Sequence, residues 1–387
     1  MLRFLTAGES HGPALTIIVE GLPAGLPLDA EDVDAHLRRR QKGFGSGGRM
    51  RIERDGVQFL GGVLAGRTTG APLAMQIENR DWANWRDKQI RPMTIPRPGH
   101  ADLTGAIKYG YRDLRPALER ASARETAARV AAGGVCRRLL AEFGIEVGSY
   151  VVQIGAVAVD LPGDLAYADR FRQAEENDVR CPDPAAAVEM HAAIRQAMAL
   201  KDTLGGVFEV VALGLPPGLG SHVHWDRRLD GRLMWAVGSI QAIKGVEIGP
   251  AFDNAGRRGT QVHDEILIEA GQLLRRTNRA GGFEGGITTG QPVVVRAAMK
   301  PISTTLTPLR SVDLASGQAA DTRYERSDTC AVPRAAVVGE AMVALTLAEA
   351  LLEKLGGDSL AEMQPRFESL RRAALADLEM DDEAWQF

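Results

Sequence analysis

Residues 61–72 read GGVLAGRTTGAP, and residues 281–292 read GGFEGGITTGQP; seven of the twelve positions are identical. Two further segments recur in the same order: GLPAGL at 21–26 with GLPPGL at 214–219, and ERASARETAARVAAG from Glu119 with the weaker echo ERSDTCAVPRAAVVGEA from Glu325. The spacings are 193, 220 and 206 residues. Collinear repeats at similar spacing predict two related halves, about 1–200 and 201–387, packed about a pseudo-twofold axis in one core.

Each half contains short β-type runs followed by helical stretches. The runs are LTIIVEGL, VQFLGGVL and PLAMQI in the first half and GVFEVVALGL, EILIEA and PVVVRAAM in the second. Helices are predicted after Asp29, over a stretch that ends at Gly144, and after Pro333. The last is apolar over most of its surface, which predicts burial between layers. We therefore expect an α/β protein of the α+β type, a single domain over 1–387 with a mobile tail at 376–387.

Composition excludes several classes of protein. No apolar run approaches the roughly 20 residues that span a bilayer, and the N-terminus lacks the apolar stretch of a signal peptide. The three cysteines are far apart, which favours reduced thiols in the cytoplasm. A net charge of −4 argues against a general nucleic-acid binder. Residues 37–55, however, carry seven basic side chains among four glycines, which indicates either a local anion site or a solvated loop.

Two histidines lie in segments suited to chemistry. AGESHGP places His11 between Gly8 and Gly12, which fits either a capped turn or a catalytic histidine at the rim of a site. PRPGHADLTG places His100 on a loop stiffened by two prolines, with Arg97 and Asp102 nearby. The alternative for His100 is a surface histidine bonded to Asp102; function is favoured.

The segment LERASARET suggests an anion site at a helix end. If a helix begins near Ser122, Arg120 and Arg124 project close to its N-terminal turn, where free N–H groups bind phosphate. The alternative is an ordinary N-cap whose arginines are neutralised by Glu119 and Glu125. From the residues alone, the two interpretations are equally good.

Two loops of the second half carry hydroxyl and charged groups. MKPISTTLTP follows a strand, and YERSDTCAVP places Asp328 before a helix; both suit a phosphate or a polar heterocycle, or else are polar surface loops. Asp328 could act as an acid or base. His222 and His224 in HVHW resemble a metal pair, but no third ligand is close in sequence, so no metal is expected.

Arginine accumulates at predicted loops and helix ends, at positions 38, 39, 40, 49, 97, 120, 124 and 326. Convergence of several of them would suit a polyanion that carries phosphate and carboxylates. The residues therefore predict an enzyme that acts on a small phosphorylated metabolite.

At this point the sequence resembles the chorismate synthase family. The similarity covers almost the whole chain and is carried by LTAGESHGPALTIIVEGLPAGLPL, LRRRQ, GGRMRIERD, PRPGHADLTGAIKY, ERASARET, GGFEGGITTGQPVVVR, KPIST and ERSD. It implies a β-α-β sandwich-like fold, a homotetramer, and 1,4-anti elimination of phosphate from 5-enolpyruvylshikimate 3-phosphate. It also implies reduced FMN as cofactor, with no net redox change.

The resemblance implies roles for individual residues. His11 would be the general acid at the leaving phosphate, His100 would lie near the reduced flavin, and Asp328 would assist proton movement there. Substrate or NADP contacts are implied for Arg40, Ser46, Arg49, Arg97 and Arg124. FMN contacts are implied for Arg120, Ala121, Ser122, Gln241, Ala242, Gly285, Lys300, Pro301, Ile302, Ser303, Thr304 and Arg326.

Two departures from the family pattern stand out. Ser46 replaces the usual arginine of the basic loop, and Gln241 stands where the family often has asparagine. No dinucleotide-binding motif is present, so NADPH is expected only as an external reductant, with a separate flavin reductase as partner. The rival functions are a flavin oxidoreductase with net hydride transfer and a binding protein that has lost catalysis.

Overall fold

Two antiparallel sheets and the helices between them form the protein. The computed structural model describes residues 2–48, 52–323 and 328–380. One sheet has the order β1-β2-β6-β3 and the other the order β10-β15-β9-β7-β8. The strands are β1 (Arg3–Ala7), β2 (Ala14–Glu20), β3 (Val57–Gly61), β4 (Val63–Leu64), β5 (Arg67–Thr68), β6 (Leu73–Glu78), β7 (Glu146–Ile154), β8 (Val157–Ala158), β9 (Gly206–Leu213), β10 (Ile243–Ile248), β11 (Ile266–Glu269), β12 (Gln272–Arg275), β13 (Phe283–Glu284), β14 (Ile287–Thr288), β15 (Val293–Met299), β16 (Arg310–Asp313) and β17 (Gln318–Asp321).

Four helices separate the two sheets. The helices are α1 (Ala30–Gln41), α2 (Asp102–Tyr109), α3 (Arg115–Ala121), α4 (Thr126–Ala141), α5 (Tyr167–Glu175), α6 (Pro184–Ala199), α7 (Leu229–Gly238), α8 (Ala251–Ala255), α9 (Val332–Leu355) and α10 (Leu360–Glu368). Helices α1 and α4 cover the first sheet, α7 and α9 cover the second, and α4 packs along α9. The predicted α+β sandwich is confirmed.

The helix ends follow local sequence chemistry. Asp29 caps α1 by accepting from the N–H of Asp32, whose side chain accepts from the Asp29 N–H in return, so that two otherwise unpaired donors are satisfied. Helix α9 stops at Gly356 as predicted, and most of its side chains are buried. It is long and apolar enough to cross a membrane by composition, but here it is the central helix of the core.

The helix expected to begin near Ser122 is interrupted there. Helix α3 ends at Ala121, Ser122 is extended, and a short 3-10 turn leads into α4. Ser122 accepts a hydrogen bond from the N–H of Arg124, so it caps the turn and not the long helix. The prediction placed the start of the long helix four residues too early, because α3 occupies the preceding segment.

The halves share detailed geometry at the repeated motifs. Thr68 Oγ1 donates to the carbonyl of Pro23 at 2.6 Å and accepts a backbone N–H of the same GLPAGL loop at 3.0 Å. Thr288 Oγ1 donates to the carbonyl of Pro216 at 2.7 Å and accepts a backbone N–H of the GLPPGL loop at 2.8 Å. The repeated motifs therefore make matching hydrogen bonds to the loops that precede them.

The strand orders correspond as well. β1-β2-β6-β3 of the first sheet matches β7-β9-β15-β10 of the second. On this correspondence the second unit begins at β7, near residue 146, and not near residue 200. The repeated motifs could not locate this boundary, because β8, α5 and α6 lie between β7 and β9 and have no counterpart in the first unit. Of the expected tail 376–387, residues 381–387 lie outside the described chain.

Candidate functional site

A cavity of about 900 Å³ opens where connections from both halves meet. Its described lining includes residues of the β1–β2 turn, of the 79–125 segment after β6, and of the 300–335 segment after β15. Several hydrogen bonds join the latter two; among them, Arg97 donates to Thr304 Oγ1 at 3.0 Å, and Lys300 donates to the carbonyl of Gly99 at 3.1 Å. The cavity therefore lies at the seam between the repeated units.

The described lining carries an excess of positive charge. It has two acidic side chains, Asp81 and Asp328, against six basic ones: Arg40, Lys88, Arg97, Arg124, Lys300 and Arg334. Such an excess in a concave site attracts a ligand with several negative charges.

His11 projects from a tight turn between β1 and β2. Gly8 begins the turn with φ of 108°, and a Cβ there would lie 2.3 Å from the carbonyl oxygen of Ala14, so only glycine fits. The turn is held by Asn79, whose amide donates to the carbonyl of Gly12 at 2.8 Å. Gly12 itself does not have positive φ. Of the two glycines predicted to shape this turn, the backbone conformation requires Gly8 alone.

Two neighbours fix the His11 ring. Glu119 on α3 lies 3.0 Å from Nδ1 and also accepts the His11 backbone N–H at 2.7 Å. Trp85 packs against the ring with centroids 4.2 Å apart, and its own Nε1 donates to Asp81 at 3.0 Å. Burial alone would raise the pKa of Glu119, but the hydrogen bonds from His11 outweigh it and the pKa lies below its usual value.

His100 is held in a similar way on the opposite loop. Its Nδ1 lies 2.6 Å from Asp102, which also accepts from Arg97 Nε at 2.9 Å. Burial would raise the pKa of Asp102, but the hydrogen bonds from His100 and Arg97 hold it well below its usual range. The bond to Asp102, which the alternative of a surface histidine assumed, is present, but His100 lines the cavity.

Arg40 and Arg124 reach the cavity from a buried network behind it. Arg124 donates to Asp55 at 2.6 Å and to Asn79 at 2.8 Å, while Arg40 donates to Thr126 at 3.0 Å and to Asp55 at 3.3 Å. Both guanidinium groups are at most 5% exposed. Their positions are therefore set before any ligand arrives.

Two residues of the second half, Asp328 and Gln241, line the same cavity. Asp328 accepts the Gly47 N–H at 2.7 Å and contacts the guanidinium of Arg334. Burial and the nearby charge of Arg40 lower the pKa of Arg334 to about 9. The amide of Gln241 donates to Glu125 at 3.2 Å, while its buried Oε1 has no hydrogen-bond partner in the described part of the chain.

The structure brings most of the predicted site residues together. Those that line the cavity are His11, Arg40, Arg97, His100, Ala121, Ser122, Arg124, Gln241, Ala242, Lys300, Ile302, Ser303, Thr304 and Asp328.

Four predicted residues are not among the cavity lining. Arg120 donates to the carbonyls of Thr6 and Gly8 and is not part of the lining. Gly285 lies in the β13–β14 turn. Pro301 is exposed and does not line the cavity, although the residues on either side of it do. The hydroxyl of Ser46 donates a hydrogen bond within its own loop. Arg49 and Arg326 lie outside the described residues.

Two arginines of the predicted convergent set serve elsewhere. Arg38 pairs with Glu31 on the surface of α1. Arg39 donates to Glu340 at 2.6 Å inside the helix layer. The latter pairing joins residues 301 positions apart, so no local pattern indicated it.

Sequence reasoning missed several residues of this site. Arg334 was visible beside Pro333 at the start of a predicted helix, which is a common place for a ligand contact. Glu119 was considered only as a counter-ion for Arg120 or Arg124, yet it contacts His11 and Arg115 instead. Trp85 and Lys88 lie in a segment without a motif, so no signal pointed to them.

No metal site accompanies these groups in the described ranges. Within residues 2–48, 52–323 and 328–380, no three His, Cys, Asp or Glu side chains are grouped to hold an ion. His222 and His224 are exposed. Cys136, Cys181 and Cys330 are buried and not disulfide-bonded.

Comparison with known proteins gives concordant matches over nearly the whole chain. The family described as chorismate synthase matches residues 2–352. A chorismate synthase of Aquifex aeolicus is 54% identical over 384 residues, covering 95% of this chain and 96% of the relative. One of Rubrobacter xylanophilus is 57% identical over 377 residues, covering 95% and 96%.

A solved structure agrees with these relatives. It is titled as a crystal structure of chorismate synthase, is 48% identical in sequence, and superposes with a TM-score of 0.78. The match covers 95% of this chain and 96% of that one.

Proposed function

The chain belongs to the chorismate synthase family, and we propose that it releases phosphate from 5-enolpyruvylshikimate 3-phosphate by a 1,4-anti elimination that yields chorismate. The enzyme is a lyase of aromatic biosynthesis. The proposed substrate carries one phosphate and two carboxylates. A cavity with four more basic than acidic described side chains fits that charge, and this excess is the observation that carries the proposal.

His11 is the proposed general acid. The carboxylate of Glu119 occupies the Nδ1 side of its ring, so proton exchange with a ligand falls to Nε2. In the imidazolium form both ring nitrogens carry hydrogen: Nδ1–H donates to Glu119, and the Nε2 proton, delivered to a phosphate oxygen, would stabilise the leaving group as the carbon–oxygen bond breaks. Arg40 and Arg124, fixed by Asp55 behind them, would clamp substrate anions without reorganising.

The cavity also suits a flavin beside the substrate. Its volume of about 900 Å³ lies near the upper end of ligand pockets, about 300–1,000 Å³, which leaves room for two ligands. The buried Oε1 of Gln241 needs a donor, and a heterocyclic N–H is one. Ser122, Lys300 and Thr304 supply further polar groups in the cavity lining.

Reduced FMN, when bound, would supply an electron transiently and recover it, so that no net oxidation occurs. On the protein side, His100 is proposed to hold a proton near the flavin, oriented by Asp102. Asp328 is proposed to assist proton movement near the flavin as well, with its carboxylate positioned by the Gly47 N–H.

Three further features belong to this proposal. The flavin is reduced elsewhere, by a separate reductase that draws on NADPH. The protein works in the cytoplasm. It assembles as a homotetramer.

The test is an anaerobic assay with photoreduced FMN and 5-enolpyruvylshikimate 3-phosphate, without NADPH. We expect many turnovers per enzyme, with phosphate and chorismate formed in equal amounts. Activity only after addition of NADPH and oxidised FMN would replace external reduction by an intrinsic reductase. NADPH consumed in proportion to product would contradict the lyase, and no product under either condition would favour a binding protein.

A further inference from the structure

Glu119 makes two hydrogen bonds to one residue, and that residue is His11. Oε2 accepts the His11 backbone N–H at 2.7 Å, and Oε1 lies 3.0 Å from the ring Nδ1. The neighbouring Ser10 N–H is bound by the Glu119 carbonyl at 3.3 Å, so α3 and the β1–β2 turn are tied by backbone as well as side chain.

The chemistry of a carboxylate decides which histidine nitrogen carries hydrogen. An ionised carboxylate only accepts hydrogen bonds, so the backbone N–H and Nδ1 of His11 must both act as donors to it. We infer that Glu119 is the positioning residue for His11, fixing the tautomer with hydrogen on Nδ1 and committing Nε2 to proton exchange. The role in turnover rests on the function proposed above; the tautomer does not.

The surroundings keep Glu119 ionised and the ring in place. Its side chain is only 7% exposed, and Arg115 Nε lies 3.4 Å from Oε1. Trp85 covers the ring of His11 and limits its rotation. The other cavity histidine is arranged alike, with Asp102 against the Nδ1 of His100. Each of these two cavity histidines therefore has a carboxylate at its Nδ1.

Glu119→Gln is the informative change, because an amide has one acceptor oxygen where the carboxylate has two. If the amide oxygen accepts from Nδ1–H, the amide NH₂ is left facing the backbone N–H of His11. If the oxygen accepts from that backbone N–H instead, the NH₂ faces Nδ1 and favours the tautomer with hydrogen on Nε2. We expect kcat to fall about 10–100-fold, as for comparable partners of functional histidines, while KM and FMN affinity stay within about twofold.

A double-variant cycle separates positioning from general structural damage. If Glu119 acts through His11, adding Glu119→Gln to His11→Ala lowers kcat no further than His11→Ala alone. The matched control is Asp113→Asn, the same carboxylate-to-amide change just before α3, where Asp113 binds the N–H groups of Met93 and Arg115 and not His11. Its kcat per folded molecule should stay near that of the unchanged protein. Unchanged kcat in Glu119→Gln, or an equal loss in the His11→Ala background, would overturn the positioning role.

The tautomer has a readout that does not need turnover. Protein labelled with ¹⁵N-histidine is examined by NMR at a pH where the ring is neutral, and the His11 signals are assigned by their loss in His11→Ala. We expect hydrogen on Nδ1 in the unchanged protein and a population with hydrogen on Nε2 in Glu119→Gln. An Nε2-protonated ring in the unchanged protein would contradict the inference. This result stands even if the unchanged protein makes no chorismate, in which case the proposed function fails separately.

Discussion

The two halves agree in their repeated turn motifs and differ in the connection between the first two strands of each half. Thr68 and Thr288 make the same pair of hydrogen bonds to the loops that precede them, and four strands follow the same order in each sheet. By contrast, β1 and β2 are joined by a short turn that carries His11, while the equivalent strands β7 and β9 are joined by a segment that includes β8, α5 and α6.

The difference shows which parts of a duplicated fold are constrained by packing. Polar groups at buried turns must be satisfied, so both halves keep the same solution. Connections on the surface have no such requirement and can acquire different functions. Here the connections after β6 and after β15 meet through Arg97 and Thr304, and the cavity forms between them.

The largest expected effect comes from the turn that is unique to the first half. His11→Ala should lower turnover by roughly 10²–10⁴-fold, because the leaving phosphate loses its proton donor. Flavin binding, measured by titration, should persist. Turnover close to that of the unchanged protein would remove His11 from the mechanism.

The second-largest effect is expected at a buried cluster of charged side chains that joins the two halves. Glu340 on α9 accepts from Arg39 and Arg137 of the first half and from Ser149 of the second, and it is 1% exposed. Glu340→Gln leaves these arginines without their shared carboxylate and should cost about 3–5 kcal/mol of unfolding free energy. Denaturant unfolding measures the loss, and kcat per folded molecule should be unchanged.

The same cluster predicts a pH dependence. Burial would raise the pKa of Glu340, but the charges of Arg39 and Arg137 outweigh burial and hold it far below its ordinary value of 4.5. A lowered folded-state pKa stabilises the protein above that ordinary value, and the stabilisation is lost as the pH falls below it. The stability difference between the unchanged protein and Glu340→Gln should therefore narrow in acid. A difference that widens there would contradict this assignment.

A smaller effect tests the equivalence of the halves. Thr68→Val and Thr288→Val each leave one buried carbonyl and one N–H without the hydroxyl, which should cost about 1–3 kcal/mol. The two losses should be alike, because the bonds are alike. Thermal or denaturant unfolding of the two variants would measure both losses. A large loss at one site alone would contradict the structural equivalence of the two halves.

The smallest effect is expected at Ser46. Its hydroxyl bonds within its own loop to the carbonyl of Gly43, and its side chain is not among the cavity lining. Ser46→Ala should change substrate affinity and stability by less than about 0.5 kcal/mol. A marked rise in KM would show that this hydroxyl reaches the substrate.

Local patterns predicted much of the fold. Capping at Asp29, the stop at Gly356 and the strand runs all depend on near neighbours in sequence, so they could be identified from it. The duplication was visible because turn chemistry repeats. The start of the second half was not, because the segment after β7 has no counterpart to mark it.

The site was predicted in outline and not in its pairings. Histidines and arginines on loops indicated an anion site, yet which arginine faces the cavity depends on distant partners. Arg39 is paired with Glu340, and Arg124 is paired with Asp55. Nothing in the neighbouring sequence indicates either pairing. Glu119 likewise reaches His11 across 108 positions.

One cavity, built from the connections of both halves, is proposed to hold substrate and flavin together. The most direct measurement is a crystal structure of the protein with FMN and 5-enolpyruvylshikimate 3-phosphate bound. We expect both ligands in this cavity, with the substrate phosphate beside His11 and the flavin beside His100. A flavin bound elsewhere, or a phosphate remote from His11, would contradict the account.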